Sequence, residues 1–290
     1  MDWHNTTCRV EITGDLVEFK TSLIDYKPPR SKKGRRISTF SRASRLRMLK
    51  RISTINWRGI KQGLFITVTY PDECLPRTKD ERSRDRYLFF RHIENYLGKN
   101  TGAIWRVEWK VRKSGKRKDS VQPHMHAILF GASFVPHQKI REFWRSTIGV
   151  TGPLATDVAP LTDKRMHAVY VAKYAAKMPE LPSLDYALNF NIDGQHWGTH
   201  RRECVPVQPT ETFHDLGRDA RESLQALAAR TLTDYRPEED AGFSLLGVLG
   251  EKLKNAVRQI CLDNGVEPSY DTPQQGGAGP EARRRQANDG

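Results

Sequence analysis

Between residues 63 and 178 the hydrophobic period of this chain switches repeatedly, and the switches delimit its elements. Leu64-Phe65-Ile66-Thr67-Val68-Thr69-Tyr70 is a β-branched and aromatic run stopped by Pro71, which reads as a strand over 63–70. From 78 to 98 the period becomes helical, with Tyr87, Phe90, Ile93 and Leu97 as the expected buried stripe and Gly98 as the stop. Ile104-Trp105-Arg106-Val107-Glu108-Trp109-Lys110 then alternates strictly and predicts a strand over 103–111. Trp105, Val107 and Trp109 share one side; Arg106, Glu108 and Lys110 share the other. A second strand over 122–130 ends at Gly131. A helix from 136 to 147 carries Ile140, Phe143 and Trp144, an extended piece covers 154–159, and a helix covers 163–178.

Outside this stretch the pattern is weaker. Residues 1–26 have mixed strand-like character, 28–37 form a basic linker, and 41–55 read as a basic helix with Leu46, Leu49 and Ile52 at helical spacing. Charged helices are expected at 211–230 and 242–262, and a Gly-, Gln- and Arg-rich disordered tail from 267. The order β-α-β-β-α-β-α fits an α+β fold, an antiparallel sheet with helices on one side. The corresponding segments are a basic N-terminal arm (1–60), a principal domain (61–205), a helical C-terminal extension (206–265) and the tail (266–290).

Charge narrows the partner class. The net charge of +14 comes from 48 Lys and Arg against 34 Asp and Glu. Residues 1–205 carry +18 and residues 206–290 carry −4, and from Lys27 to Arg58 twelve basic residues occur with no acid. Such a run favours a polyanion through counterion release, and it equally describes a solvated basic arm. Cys8, Cys74, Cys204 and Cys261 are scattered with no Cys-x-x-Cys pair, so neither a disulfide framework nor a zinc ribbon is expected. No charged-then-apolar leader opens the sequence, and the longest apolar run (242–250) is too short to span a bilayer. A cytoplasmic protein with no membrane partner is expected.

Two clusters carry potential chemistry. His124 and His126 point to one face of their strand, where two neutral imidazoles could share a divalent cation or simply face solvent. If the 103–111 strand pairs antiparallel with theirs, Glu108 is the carboxylate placed to complete the site; otherwise it is a surface ion-pair partner of Arg106 or Lys110. In the helix over 163–178, Tyr170, Lys173, Tyr174 and Lys177 fall within about one third of the circumference, opposite Ala168, Val171, Ala172, Ala175 and Ala176. Two phenols with lysines beside them suit covalent chemistry on a phosphodiester, and the pattern also describes an ordinary amphipathic helix.

Taken together, Phe65-Ile66-Thr67-Val68-Thr69-Tyr70-Pro71, His124-Met125-His126 and Tyr170-Val171-Ala172-Lys173-Tyr174 resemble the three ordered motifs of HUH endonucleases, the His-hydrophobic-His nickases that start rolling-circle replication. The paired tyrosines resemble the two-tyrosine branch found in initiators of small single-stranded DNA phages and their prophage relatives. A weaker likeness extends from Ser38-Thr39-Phe40-Ser41-Arg42 to His196-Trp197-Gly198, toward the filamentous-phage type. The basic connection from Lys110 to Lys118 is longer than the family pattern.

The resemblance implies a ferredoxin-like HUH fold in which His124, His126 and Glu108 hold Mg²⁺ or Mn²⁺. Tyr170 and Tyr174 would act as nucleophiles supported by Lys173 and Lys177. The substrate would be single-stranded or supercoiled origin DNA, nicked through a 5′-phosphotyrosine intermediate that leaves a 3′-OH primer. Arg112, Lys113, Lys116, Arg117 and Lys118 of the basic hairpin, with Arg42 and Arg45 of the arm, would contact phosphates. Trp105, Trp109 or Trp197 could stack on bases, although alternation favours the first two as core. No Gly-x-x-x-x-Gly-Lys loop occurs, so unwinding would fall to a host helicase, alongside a host polymerase, in a bacterial cytoplasm. A plasmid relaxase, a transposase-like HUH nuclease, a non-catalytic DNA-binding protein and an unrelated metal-dependent hydrolase are the alternatives.

Overall fold

The computed structural model describes residues 6–23, 42–75, 78–111, 121–161, 195–231, 243–246 and 250–271. In chain order the elements are β1 (Thr6–Thr13), β2 (Leu16–Leu23), α1 (Arg42–Ser53), β3 (Gly63–Thr69), α2 (Lys79–Leu97), β4 (Gly102–Val111), β5 (Val121–Phe130) and α3 (His137–Ile148). Then follow β6 (Thr156–Pro160), β7 (Trp197–His200), β8 (Thr210–Phe213), α4 (Arg218–Thr231), β9 (Phe243–Leu246), α5 (Gly250–Asp263) and β10 (Pro268–Asp271). The class is α+β, with two antiparallel sheets. No helix among the described residues is long and apolar enough to cross a membrane.

The chain divides into two units, the larger comprising residues 35–48, 57–206 and 274–290. Its sheet has the order β6-β3-β5-β4-β7. Strict alternation makes the sheet two-faced. Leu64, Ile66 and Val68 of β3, Met125, Ala127 and Leu129 of β5, and Ala103 and Trp105 of β4 form one buried cluster with Phe89, Phe90 and Ile93 of α2 and Ile140 and Trp144 of α3. Both helices therefore cover one face, as the sequence pattern predicts.

The buried face of α2 differs in one respect from the expected stripe. Tyr87 is 57% exposed, whereas Phe89 is fully buried. The packing arc is extended by arginines instead. The Arg86 guanidinium lies 4.0 Å from the Trp105 ring centroid and that of Arg82 lies 5.4 Å from Trp109, so cation–π contacts and aliphatic stems occupy places a hydrophobic pattern assigns to apolar residues. Trp105 is buried in the core cluster, the role its alternation favours, whereas Trp109 is only partly buried and stands outside that cluster. The helix begins at a reciprocal Thr78–Glu81 capping box and stops where Gly98, at φ +90°, donates its N–H to the Glu94 carbonyl.

The smaller unit comprises residues 1–34, 49–56 and 207–273, with sheet order β10-β8-β1-β2-β9. Val10, Ile12, Val17, Phe19 and Phe213 pack on Leu216, Leu224 and Ala228 of the α4 segment and on Val257 and Cys261 of α5. These boundaries differ from the four segments drawn from composition. Residues 6–23 are a hairpin rather than part of a basic arm, and they share a sheet with the C-terminal region. Thr210–Phe213, expected as the start of a helix, is a strand because its β-branched run pairs with both β1 and β10. Phe243–Leu246 likewise pairs with β2, leaving α5 to begin at Gly250. The Pro268–Asp271 strand falls inside the stretch expected to be a disordered tail, its order supplied by β8.

Trp144 ties this architecture to the site below. Its ring packs edge-on against Tyr70 and Phe89, and its Nε1–H donates to the Thr69 carbonyl at 2.9 Å. Trp144→Ala is expected to destabilise the protein by about 3–5 kcal/mol in urea unfolding, while Tyr87→Ala changes stability by no more than about 0.5 kcal/mol. A larger loss at Tyr87 would contradict the assigned buried face.

Candidate metal centre

The sequence-predicted histidines sit on the face of the larger unit's sheet opposite α2 and α3. In register, Thr69 of β3 lies opposite His124 of β5, which lies opposite Glu108 of β4. One row along, Asp157, Thr67, His126, Arg106 and Trp197 run across all five strands from β6 to β7. Directly opposed residues of antiparallel strands project to the same side, so these two rows make one continuous polar strip.

Each imidazole is held by a threonine. His124 Nδ1 is 2.7 Å from Thr69 Oγ1, and His126 Nδ1 is 3.0 Å from Thr67 Oγ1. The rings lie nearly parallel, 9° apart with centroids separated by 6.3 Å, and Phe65 stacks beneath His126 at 5.8 Å. Because Nδ1 of each ring faces β3, Nε2 is the nitrogen left toward β4. There His126 Nε2 lies 3.0 Å from Glu108 Oε2.

When His126 Nε2–H donates to the carboxylate and Nδ1 carries no proton, Nδ1 accepts from the Thr67 hydroxyl. When Nε2 serves as a metal ligand the proton must sit on Nδ1, and the same hydroxyl accepts it. A threonine serves both tautomers by rotating its O–H, which a fixed donor or acceptor cannot do.

The donor chemistry of two imidazoles and a carboxylate is compatible with a divalent cation. His126 Nε2 and Glu108 Oε2, 3.0 Å apart, are a hydrogen-bonded pair, so a cation would replace the proton between them. Among the described residues no three His, Cys, Asp or Glu side chains already close into a metal-holding cluster. Such donors serve several divalent metals, so Mg²⁺ or Mn²⁺ is what the resemblance implies rather than what the ligands select.

The surrounding hydrogen bonds stiffen the strand that presents the threonines. The Tyr70 carbonyl accepts from Gln122 Nε2 at 3.0 Å, and the Tyr70 hydroxyl donates to the buried Asp85 at 3.2 Å. Burial, reinforced by the Asp85 charge, pushes the Tyr70 phenol well above the usual tyrosine range. Its hydroxyl is buried in the helix-side cluster and committed to the Asp85 bond.

Not every expected site residue falls within the described structure. Tyr170, Lys173, Tyr174 and Lys177 lie outside the described residues, as do Arg112, Lys113, Lys116, Arg117 and Lys118. Arg42 opens α1 and Arg45 is half-buried on the same helix. Asp157, Arg106 and Trp197 were not assigned to the histidine face by sequence reasoning. Strand alternation alone aligned Arg106 with Glu108, but placing Asp157 and Trp197 there required the pairing of β6 and β7. Comparison with family models, curated proteins and solved structures finds no match to this chain.

Thr67→Val and Thr69→Val, which keep shape and remove the hydroxyl, are each expected to weaken Mn²⁺ binding by about 10–100-fold in isothermal titration calorimetry. Unchanged affinity in both variants would remove the threonines from the site.

Proposed function

We propose that this protein is an HUH-type rolling-circle replication initiator that nicks and rejoins one strand of origin DNA through a tyrosine-linked intermediate. The observation that carries the reading is the Thr69–His124–Glu108 and Thr67–His126 arrangement on the sheet face opposite α2 and α3. The scaffold supports it. The segment β3-α2-β4-β5-α3-β6 pairs in the order β6-β3-β5-β4, which is the split β-α-β topology of ferredoxin-like folds, here with β7 added beside β4.

The chemistry assigned to each residue follows from charge. A phosphodiester resists attack because it is anionic and its leaving alkoxide is poor. A Mg²⁺ or Mn²⁺ ion held by His124, His126 and Glu108 supplies Lewis-acid stabilisation of the charge that develops on the scissile phosphate. The chain's own residues do the rest. The Tyr170 or Tyr174 oxygen forms a bond to phosphorus while the bond from phosphorus to the 3′ oxygen breaks. The phenol loses its proton and the departing 3′ oxygen gains one, leaving a 5′-phosphotyrosine and a free 3′-OH. Lys173 and Lys177 lower the cost of the phenolate and of the phosphate charge.

The covalent bond conserves the cleaved linkage, so attack by a 3′-OH reverses the step without ATP. Two tyrosines allow one to retain the first 5′ end while the other cuts the regenerated origin. In a helix, positions i and i+4 lie ~6 Å apart along the axis, so this sequence spacing suits two nucleophiles that serve one centre. The free 3′-OH primes a host polymerase, a host helicase supplies unwinding, and the setting is the bacterial cytoplasm.

The test is a denaturing-gel assay with 3′-labelled single strands covering the origin, in Mn²⁺ or EDTA. Wild type should retain label on the protein only with metal. Tyr170→Phe/Tyr174→Phe should abolish the adduct, and His126→Ala should reduce it by at least about 100-fold. An adduct that survives the double substitution would refute the assignment. Tight DNA binding with no adduct from any strand would favour a non-catalytic DNA-binding protein.

A further inference from the structure

Trp197 stands out among the larger unit's aromatic residues. Gly198 and His200, its neighbours of opposite parity in β7, face the helices: a Cβ on Gly198 would lie 2.7 Å from the Trp105 ring, and His200 stacks on Phe90 of α2 at 4.9 Å. Trp197 therefore projects to the other side, in the row that contains His126. Two strand spacings separate it from β5, about 10 Å across the sheet. Its indole is only partly buried, and its Nε1–H donates to Ser44 Oγ of α1 at 3.1 Å. That bond sets the rotation of the ring and links it to a helix carrying Arg42, Arg45, Arg47, Lys50 and Arg51, with no acid among its residues.

We propose that Trp197 is a base-stacking platform that positions single-stranded DNA beside the His124–His126 centre, with Arg45 and Arg47 of α1 contacting the adjoining phosphates. The inference rests on the reading of this face as a single-strand nuclease site and names the residues that seat the strand there. An anchored indole offers a π-face that bases of any sequence can use, and the basic side chains of a helix without acids complement the phosphate backbone. Arg47 is exposed to solvent and Arg45 half-buried, on the helix that fixes the indole. Trp105 and Trp109 lack this freedom because guanidinium groups already lie over their rings. The platform and the centre sit on one rigid sheet. A base held at Trp197 fixes where the neighbouring backbone crosses β4 and β5, which is a positioning role rather than a catalytic one.

The test measures fluorescence anisotropy of a labelled oligothymidylate in EDTA, so that neither metal nor cleavage enters. Stacking of one base is worth about 1–3 kcal/mol, so Trp197→Ala should weaken binding by roughly 5–150-fold, with Trp197→Phe restoring most of it. The salt dependence should stay unchanged in both, whereas Arg45→Ala/Arg47→Ala should lower its slope by about two phosphate contacts. Ser44→Ala, which frees the ring without removing it, should cost less than Trp197→Ala. Equal affinities for wild type and Trp197→Ala, both folded by thermal melting, would overturn the platform. So would a loss in Trp197→Phe as large as in Trp197→Ala, because that pattern marks a structural role. Failure of the adduct assay alongside a stacking effect at Trp197 would retire the nuclease reading and leave the single-strand contact standing.

Discussion

The antiparallel register joining β3, β5 and β4 is the constraint on which the rest of the larger unit depends. It places Thr69, His124 and Glu108 in one row and Thr67, His126 and Arg106 in the next. Because strand side chains alternate with period two, a slip of a single residue would turn the histidines, threonines and carboxylate into the helix layer and move Met125, Ala127 and Val68 out of the apolar cluster. The apolar cluster under α2 and α3 thus specifies the polar face without touching it. Burial energy on one side is converted into positional accuracy on the other. Trp144 makes the link concrete, being completely buried in that cluster while donating to the carbonyl of the threonine that holds His124.

The threonines show how a small polar group governs the chemistry available to a larger one. A hydroxyl at Nδ1 restricts ring rotation and leaves Nε2 as the outward nitrogen, and it accommodates whichever tautomer the ligand requires. His126 Nε2 then meets the Glu108 carboxylate in a hydrogen bond at 3.0 Å. Tyr70, three residues past Thr67, takes the opposite course, its phenol held protonated by burial and by Asp85. Neighbouring positions of one strand and its end are thereby divided between presenting a site and sealing the layer beneath it.

Much of the larger unit was legible from residue pattern because its signals are local. The β-branched run of β3, the alternation of β4 and the histidine spacing in β5 each specify a strand and its faces without knowledge of partners. The β-α-β-β-α-β order, the pairing of Glu108 with the His124 strand and the core position of Trp105 follow from those signals. Long-range pairing was not legible. Thr210–Phe213 and Phe243–Leu246 are strands only because β1 and β2, some two hundred residues away in sequence, provide their hydrogen bonds. Short segments beside a helical pattern otherwise read as helix. The same limitation hid Asp157 and Trp197, whose place on the histidine face is a property of the sheet order. Tyr87 was misassigned for a different reason, since a hydrophobic period cannot anticipate arginines that pack by covering indoles.

The central claim is that His124, His126 and Glu108 form one divalent-metal centre on the sheet face opposite α2 and α3. The most direct measurement is the anomalous diffraction of crystals of the full chain soaked in Mn²⁺. The account predicts a manganese peak within about 2.0–2.4 Å of His126 Nε2, a Glu108 carboxylate oxygen and His124 Nε2, with both Nδ1 atoms still bonded to their threonines. Manganese bound elsewhere, or absent while the His126–Glu108 hydrogen bond persists, would contradict it.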